Sequence, residues 1–75
     1  MFHESKPDYF LLAMEEFKLI DEYNSELTNS MYAENGIIAL EKIYKTKTEV
    51  MHAAKEILLG YGKLHLLQCV FKEYL

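Results

Sequence analysis

Apolar positions in the first half of the chain recur at the spacing of an α-helix. They lie three, four and seven residues apart in one row: Phe10, Ala13, Met14, Phe17, Ile20, Leu27 and Met31. This spacing places them on a single helix face. Pro7 is tolerated in a first helical turn, and the Asn35 and Gly36 pair readily ends a helix. The pattern therefore predicts a first helix over 7–34, with its weakest point at 28–30.

A second apolar row begins after Gly36 and continues to the C-terminus. Its members alternate in steps of four and three, with Thr46 and Gly60 filling two slots: Ala39, Ile43, Val50, Ala53, Ile57, Leu64, Leu67, Phe71 and Tyr74. This heptad-like seam favours helices over 37–59 and 63–74. They separate at Gly60 and Gly62 because a glycine inside a helix costs roughly 1 kcal/mol. Residues 46–49 resemble a capping box, so a fresh helix start at Thr46 is the alternative to a continuous 37–59 helix.

These elements predict an all-α fold with a single helical domain over 1–75. Short connections make neighbouring helices antiparallel, which gives a long helical hairpin followed by a short C-terminal helix. A helix over 7–34 is roughly 40 Å long. That length exceeds what a compact monomer of 8.8 kDa requires. Dimerisation into a helical bundle resolves the mismatch.

The composition also favours association. Hydrophobic residues make up 51% of the chain, including six Tyr, four Phe and four Met. A chain of this size has a thin core, and the single cysteine, Cys69, excludes an internal disulfide. We predict that the amphipathic C-terminal part forms the intermolecular interface, with burial inside one chain as the alternative. The predicted interface residues are Leu64, Leu67, Phe71 and Tyr74, together with Ile57 and Tyr61.

Charge is distributed unevenly along the chain. Residues 1–35 carry a net charge of −6 and residues 36–75 carry +2, and every basic residue is a lysine. An acidic total without arginine argues against nucleic-acid binding. Two nucleic-acid roles remain as alternatives. Lys42, Lys45 and Lys47 with Tyr44 are candidates for weak direct binding, and the acidic first helix is a candidate DNA mimic.

Candidate chemistry is sparse. His65 and Cys69 are four residues apart, which is half of a zinc site, but His3 and His52 have no soft ligand nearby. The neighbours of Cys69 are apolar, whereas a reactive thiol needs an electropositive setting. The glycines match no phosphate-binding loop. We therefore predict no metal, no cofactor and no enzymatic activity.

The start of the chain, MFHESKPDYF, lacks the charged and apolar regions of a secretory signal. The longest apolar run, 9–14, is too short to span a membrane. These features predict a cytoplasmic protein without membrane association. The function we expect is a protein-interaction module, a regulator, inhibitor or adaptor, which binds a larger partner through an apolar helix face as a homodimer.

Overall fold

The computed structural model describes residues 7–23 and 25–72, which form four α-helices and one 3₁₀ turn. The α-helices are α1 (Tyr9–Leu19), α2 (Glu26–Glu41), α3 (Lys47–Gly60) and α4 (Leu67–Val70), and the 3₁₀ turn at Leu64–Leu66 precedes α4. No strand occurs in the two described ranges. The predicted all-α fold class is confirmed. No helix within these ranges has the length and apolar character needed to cross a membrane.

The prediction of one helix over 7–34 is wrong. Asp8 caps α1, and the helix ends at Leu19. Ile20 has φ −61° and ψ 132°, Asp21 has φ 70°, and the Glu22 N–H donates to the Leu19 carbonyl at 3.1 Å. These angles are those of a type II turn, whose third position requires a positive φ. The chain therefore turns before 28–30, where the sequence suggested the weakest point.

Helix α2 begins after Ser25, whose side chain caps it. It continues through Asn35 and Gly36, the pair that was expected to end the first helix. Gly36 is buried inside α2 against the ring of Phe17. A Cβ atom at Gly36 would lie only 2.5 Å from the ring carbon Cε1 of Phe17. Glycine is needed here because it lets α1 and α2 approach closely, and the predicted helix end at Gly36 is wrong.

Further contacts between α1 and α2 fix their relative direction. The Asn35 side chain donates to Glu16 Oε1 at 2.9 Å, and Asn29 Oδ1 accepts from the Asp21 N–H at 2.7 Å. Asp21, which comes after Glu16 in the chain, thus contacts Asn29, which comes before Asn35. The two helices therefore run antiparallel.

The break at Thr46, considered above as the alternative, is present. Thr46 Oγ1 accepts from the Glu49 N–H at 3.1 Å, and Glu49 Oε1 accepts from the Thr46 N–H at 3.1 Å. These reciprocal bonds form a capping box at the start of α3. The continuous helix expected over 37–59 is therefore wrong.

The predicted break at the glycines is confirmed, since α3 ends at Gly60. Gly62 has φ +71°, its N–H donates to the Leu59 carbonyl at 3.0 Å, and the Lys63 N–H donates to the Leu58 carbonyl at 2.7 Å. This pair of bonds is a Schellman motif. In place of the predicted helix over 63–74, the described part has the 3₁₀ turn and the short helix α4. We call residues 63–72 the C-terminal segment. Residues 73–75 lie outside the described ranges.

Within the described ranges, one core cluster joins all four α-helices. Its apolar members are Ala13, Phe17, Ile20, Ala33, Ile37, Ala39, Leu40, Val50, Ala53, Ala54, Ile57, Leu58, Val70 and Phe71. The largest of these side chains, Phe17 and Phe71, come from opposite ends of the described chain. Complete burial of such a side chain stabilises the fold by about 1.5–3 kcal/mol. The C-terminal segment is thus packed into the same core as α1.

A lysine also joins these distant parts of the chain. Lys63 Nζ donates to the main-chain carbonyl of Lys18, to that of Ile20 at 2.7 Å, and to Glu22 Oε2 at 3.0 Å. A lysine ammonium has three N–H donors, so these bonds use all of them. We call these three bonds the Lys63 tether. It satisfies carbonyls at the end of α1 and fixes the start of the C-terminal segment there.

Candidate protein-binding surface on the second helix

Helix α2 carries apolar residues on the side that faces away from the core. Leu27 is 81% exposed, Met31 46% and Ile38 44%. Single exposed apolar side chains are common on protein surfaces. These three, however, are spaced four and seven residues apart, which places them along one helix face. They form a stripe that rises about 16 Å along the helix axis.

A groove of about 780 Å³ lies beside this stripe, between α2 and the C-terminal segment. Its lining residues are Glu26, Asn29, Ser30, Ala33, Glu34, Ile37, Ile38 and Glu41 of α2, and Cys69, Val70 and Lys72 of the C-terminal segment. Ile38 belongs to both the stripe and the groove, so the two form one continuous surface. We call this groove together with Leu27, Met31 and Ile38 the α2 surface.

The charge on the α2 surface is negative. Glu26, Glu34 and Glu41 are exposed along the groove, and Lys72 is the basic side chain that lines it. The buried side chains at its base are apolar, namely Ala33, Ile37 and Val70. Such an arrangement can bury apolar groups at its base and attract cations at its edge.

The sequence-predicted interface is divided between the core and the surface. Ile57 and Phe71 are buried in the core cluster, while Tyr61 and Leu67 are partly buried against it. Leu64 is exposed. Tyr74 lies outside the described residues. An interface built from this set stays a prediction, but two of its residues are already covered within one chain.

The apolar pattern of the sequence does not predict the α2 surface. Leu27 and Met31 fall in the first apolar row, which predicts one face of a continuous helix over 7–34, and Ile38 belongs to neither row. A signal was present in the run from Asp21 to Ser25, where turn-forming and capping residue types cluster. A break there changes the phase of the helical pattern, which turns Leu27 and Met31 outward.

The His65 and Cys69 pair does not lie on one continuous helix. His65 is in the 3₁₀ turn and Cys69 is in α4, and both are exposed. His52 is exposed on α3, while His3 lies outside the described residues. Among residues 7–23 and 25–72, no group of three or more His, Cys, Asp or Glu side chains could hold a metal ion.

The basic cluster is also divided between elements. Lys42 and Lys45 lie in the connection between α2 and α3, and Lys47 begins α3. All three are exposed, but the ring of Tyr44 is partly buried against the core. Weak nucleic-acid binding through these lysines with Tyr44 stays a prediction. Because the Tyr44 ring is partly buried, less of its surface is free to stack on a base.

The acidic residues of the predicted first helix do not lie along one straight rod. The turn at Asp21 divides them between α1 and α2. Glu16 is hydrogen-bonded to Asn35, and Glu22 pairs with Lys63. DNA mimicry by this part of the chain stays a prediction, although the single long acidic helix on which it was based is not formed.

A second, smaller hollow of about 420 Å³ lies between α1 and α3. Its lining includes Phe10, Tyr44, His52 and Ala53, so it is separate from the α2 surface.

Comparison with protein-family models, with curated proteins and with solved structures gives no match for this chain.

Proposed function

We propose that this chain is a small non-enzymatic module that binds a larger protein through the α2 surface, as a regulator, inhibitor or adaptor. The observation that supports this proposal is the outward stripe of Leu27, Met31 and Ile38 beside the apolar-based groove. Helices of globular proteins usually place their apolar residues toward the core and polar residues outward. Helix α2 has apolar residues on both sides, and a partner chain would cover the outer ones.

The magnitude of the apolar burial indicates how large the partner contact must be. Covering Leu27, Met31 and Ile38 completely would contribute about 4 kcal/mol. Association costs about 4–15 kcal/mol in lost translational and rotational freedom. The stripe alone is therefore too small for stable binding. The partner must fill the neighbouring groove as well, which requires a protein segment that extends along much of α2.

Homodimerisation is a second form of the proposal, through a different surface. In the C-terminal interface predicted from sequence, Leu64 is exposed, and Tyr61 and Leu67 are partly exposed. Leu59, which is exposed at the end of α3, adds to the apolar area near this part of the chain. A dimer formed there would leave the α2 surface open for the larger partner.

Site-specific photo-crosslinking in an extract of native cells tests both forms. Benzoylphenylalanine in place of Ser30 puts the reactive group in the groove and leaves the stripe intact. The same group in place of Leu64 reports on the predicted C-terminal interface. In place of Lys55, which is exposed on α3, it serves as the control. We expect a discrete adduct from position 30 whose crosslinked residues map to one segment of one protein.

Competition shows whether that adduct depends on the α2 surface. Excess unlabelled chain should suppress it, and the Leu27→Ser/Ile38→Ser variant should not. Circular dichroism should show the same helical content in both competitors, because these two side chains are exposed. Equal crosslinking from position 55, or suppression by both competitors, would overturn the proposal. An adduct of twice the chain mass from position 64 supports the dimer, and its absence contradicts the dimer.

A further inference from the structure

We infer that the segment bound by the α2 surface is a basic amphipathic helix of another protein, lying along α2. This inference rests on the proposed function and specifies the chemistry of the partner. It follows from three features of the surface: the spacing of its carboxylates, the spacing of its apolar stripe and the small side chain of Ala33 at the base of its groove.

The carboxylates are placed to meet a row of cations. Glu26, Glu34 and Glu41 are eight and seven residues apart on α2, and all three are exposed. These steps correspond to about two helical turns each, so the carboxylates span about 22 Å along the axis. With Lys72 on the opposite side, the described lining residues carry a net charge of −2. Lysine or arginine side chains at two-turn intervals on a partner helix would face these carboxylates.

The shape of the surface favours a helix as the occupant. Leu27, Met31 and Ile38 recur in steps of four and seven along α2. A partner helix that carries apolar anchors at helical spacing can meet them one after another along the axis. Ala33 is buried at the base of the groove. Because its side chain is small, a partner helix can approach α2 at the usual interaxial distance of about 8–10 Å.

The same charges argue against other occupants. Nucleic acid and anionic lipid both present negative groups, which the three carboxylates repel. A second copy of this chain bound through the same surface would place three more carboxylates against Glu26, Glu34 and Glu41. Like charges brought together in this way oppose association. A basic segment of a different protein is the occupant that both charge and shape favour.

Three synthetic peptides of about 18 residues, long enough to cover α2, test this inference with the full chain. The first is an amphipathic helix with lysines at two-turn intervals beside an apolar face. The second replaces those lysines with glutamate, and the third has the composition of the first in scrambled order. Fluorescence anisotropy of labelled peptides gives the dissociation constants. We expect only the first peptide to bind. Equal binding of the acidic or the scrambled peptide would overturn the inference.

Matched charge variants of the chain locate the binding. Glu34→Gln/Glu41→Gln removes two carboxylates from the groove, and Glu15→Gln/Glu56→Gln removes two exposed carboxylates from α1 and α3. We expect the groove variant to weaken binding about tenfold, since each exposed ion pair contributes up to about a factor of five. The control variant should change binding less than twofold. Equal weakening by the two variants would overturn the inference.

The exposed thiol of Cys69 provides an independent readout because it lines the groove and the chain has one cysteine. A fluorophore on Cys69 should change its emission when the basic peptide binds. If position 30 crosslinks to a protein but the basic peptide does not bind, the partner chemistry is wrong and the proposed function stands. If neither is observed, both fail. A crosslinked second copy at position 30 also overturns the inference.

Discussion

Replacement of Gly36 by alanine tests whether the fold depends on close approach of α1 and α2. Gly36 lies inside α2, where alanine would normally be preferred by about 1 kcal/mol. The Cβ atom of alanine would lie 2.5, 2.8 and 2.9 Å from three carbons of the Phe17 ring. Ordinary contacts between carbon atoms are about 3.5–4.0 Å. Helix propensity and packing therefore predict opposite outcomes for the same substitution.

Packing should be the larger of the two effects. The Phe17 ring is fully buried in the core cluster, so a shift of the ring must also move the side chains packed around it. Forcing an extra methyl group into a well-packed core costs about 1–3 kcal/mol. After the gain in helix propensity is subtracted, we expect Gly36→Ala to lower the free energy of unfolding by about 1 kcal/mol.

Gly60→Ala is the matched control, since it makes the same chemical change at the last residue of α3. Among the residues that the structure describes, no atom lies within 4 Å of the Cβ position there, and the backbone of Gly60 is outside the left-handed region. Helix propensity acts alone at this position, so Gly60→Ala should raise the free energy of unfolding by up to about 1 kcal/mol. The two glycine substitutions should therefore change stability in opposite directions.

Thermal and urea unfolding of the two variants measure the effect. A change of 1 kcal/mol shifts the Tm of a domain of this size by about 4–8 °C. Adding Phe17→Leu to Gly36→Ala should recover part of the loss relative to the sum of the single variants, because the shorter side chain relieves the contact. A higher Tm for Gly36→Ala, or strict additivity with Phe17→Leu, would refute the argument.

Three further substitutions test the connections between helices. Lys63→Met removes the Lys63 tether and should lower the free energy of unfolding by about 1–3 kcal/mol, measured by urea unfolding. The control Lys55→Met changes an exposed side chain of α3 and should alter this free energy by less than about 0.5 kcal/mol. Similar losses would contradict the tether. Asp21→Asn should raise the Tm slightly, because asparagine adopts a positive φ more readily, and a lower Tm would count against the type II turn. Thr46→Ala should cost about 1 kcal/mol by removing the capping box, measured by thermal unfolding followed by circular dichroism. An unchanged Tm would show that this cap contributes little.

The apolar periodicity matched the buried face of α1 except at Phe10, which is exposed, and it failed where that helix ends. Ala13 and Phe17 of the first row are buried in α1, but Leu27 and Met31 of the same row are exposed in α2. Spacing defines a face only while the helix is continuous, and a turn resets the phase. The turn here contains Asp21 at a position more typical of glycine or asparagine, so the sequence offered a weak signal for it.

The second row shows the same limit. Val50 and Ile57 inside α3 are buried in the core, although Ile57 was predicted for the interface between chains. Ile43 follows the end of α2 and Leu64 follows the end of α3, and both are exposed. The capping box at Thr46 was visible in the sequence. Whether it starts a helix or lies within one depends on tertiary packing, which a single stretch of sequence does not specify.

Gly36 illustrates why the candidate site was not predicted. A glycine after an asparagine typically ends a helix, but here it lies against a ring from another helix, and that contact is a tertiary one. With a helix end placed at Gly36, residues on either side of it belonged to different elements. The stripe that joins Met31 to Ile38 was therefore divided in the sequence analysis.

The Lys63 tether has a consequence for how events at the groove spread through the molecule. It joins carbonyls of Lys18 and Ile20 to a residue more than forty positions later, at the start of the segment that forms one side of the groove. We therefore expect local opening of α4 to strain these bonds at the end of α1, and we expect the two regions to exchange their amide hydrogens in a shared opening event. A peptide that binds between α2 and α4 would then slow hydrogen exchange at Asp21 and Glu22, which the peptide does not touch.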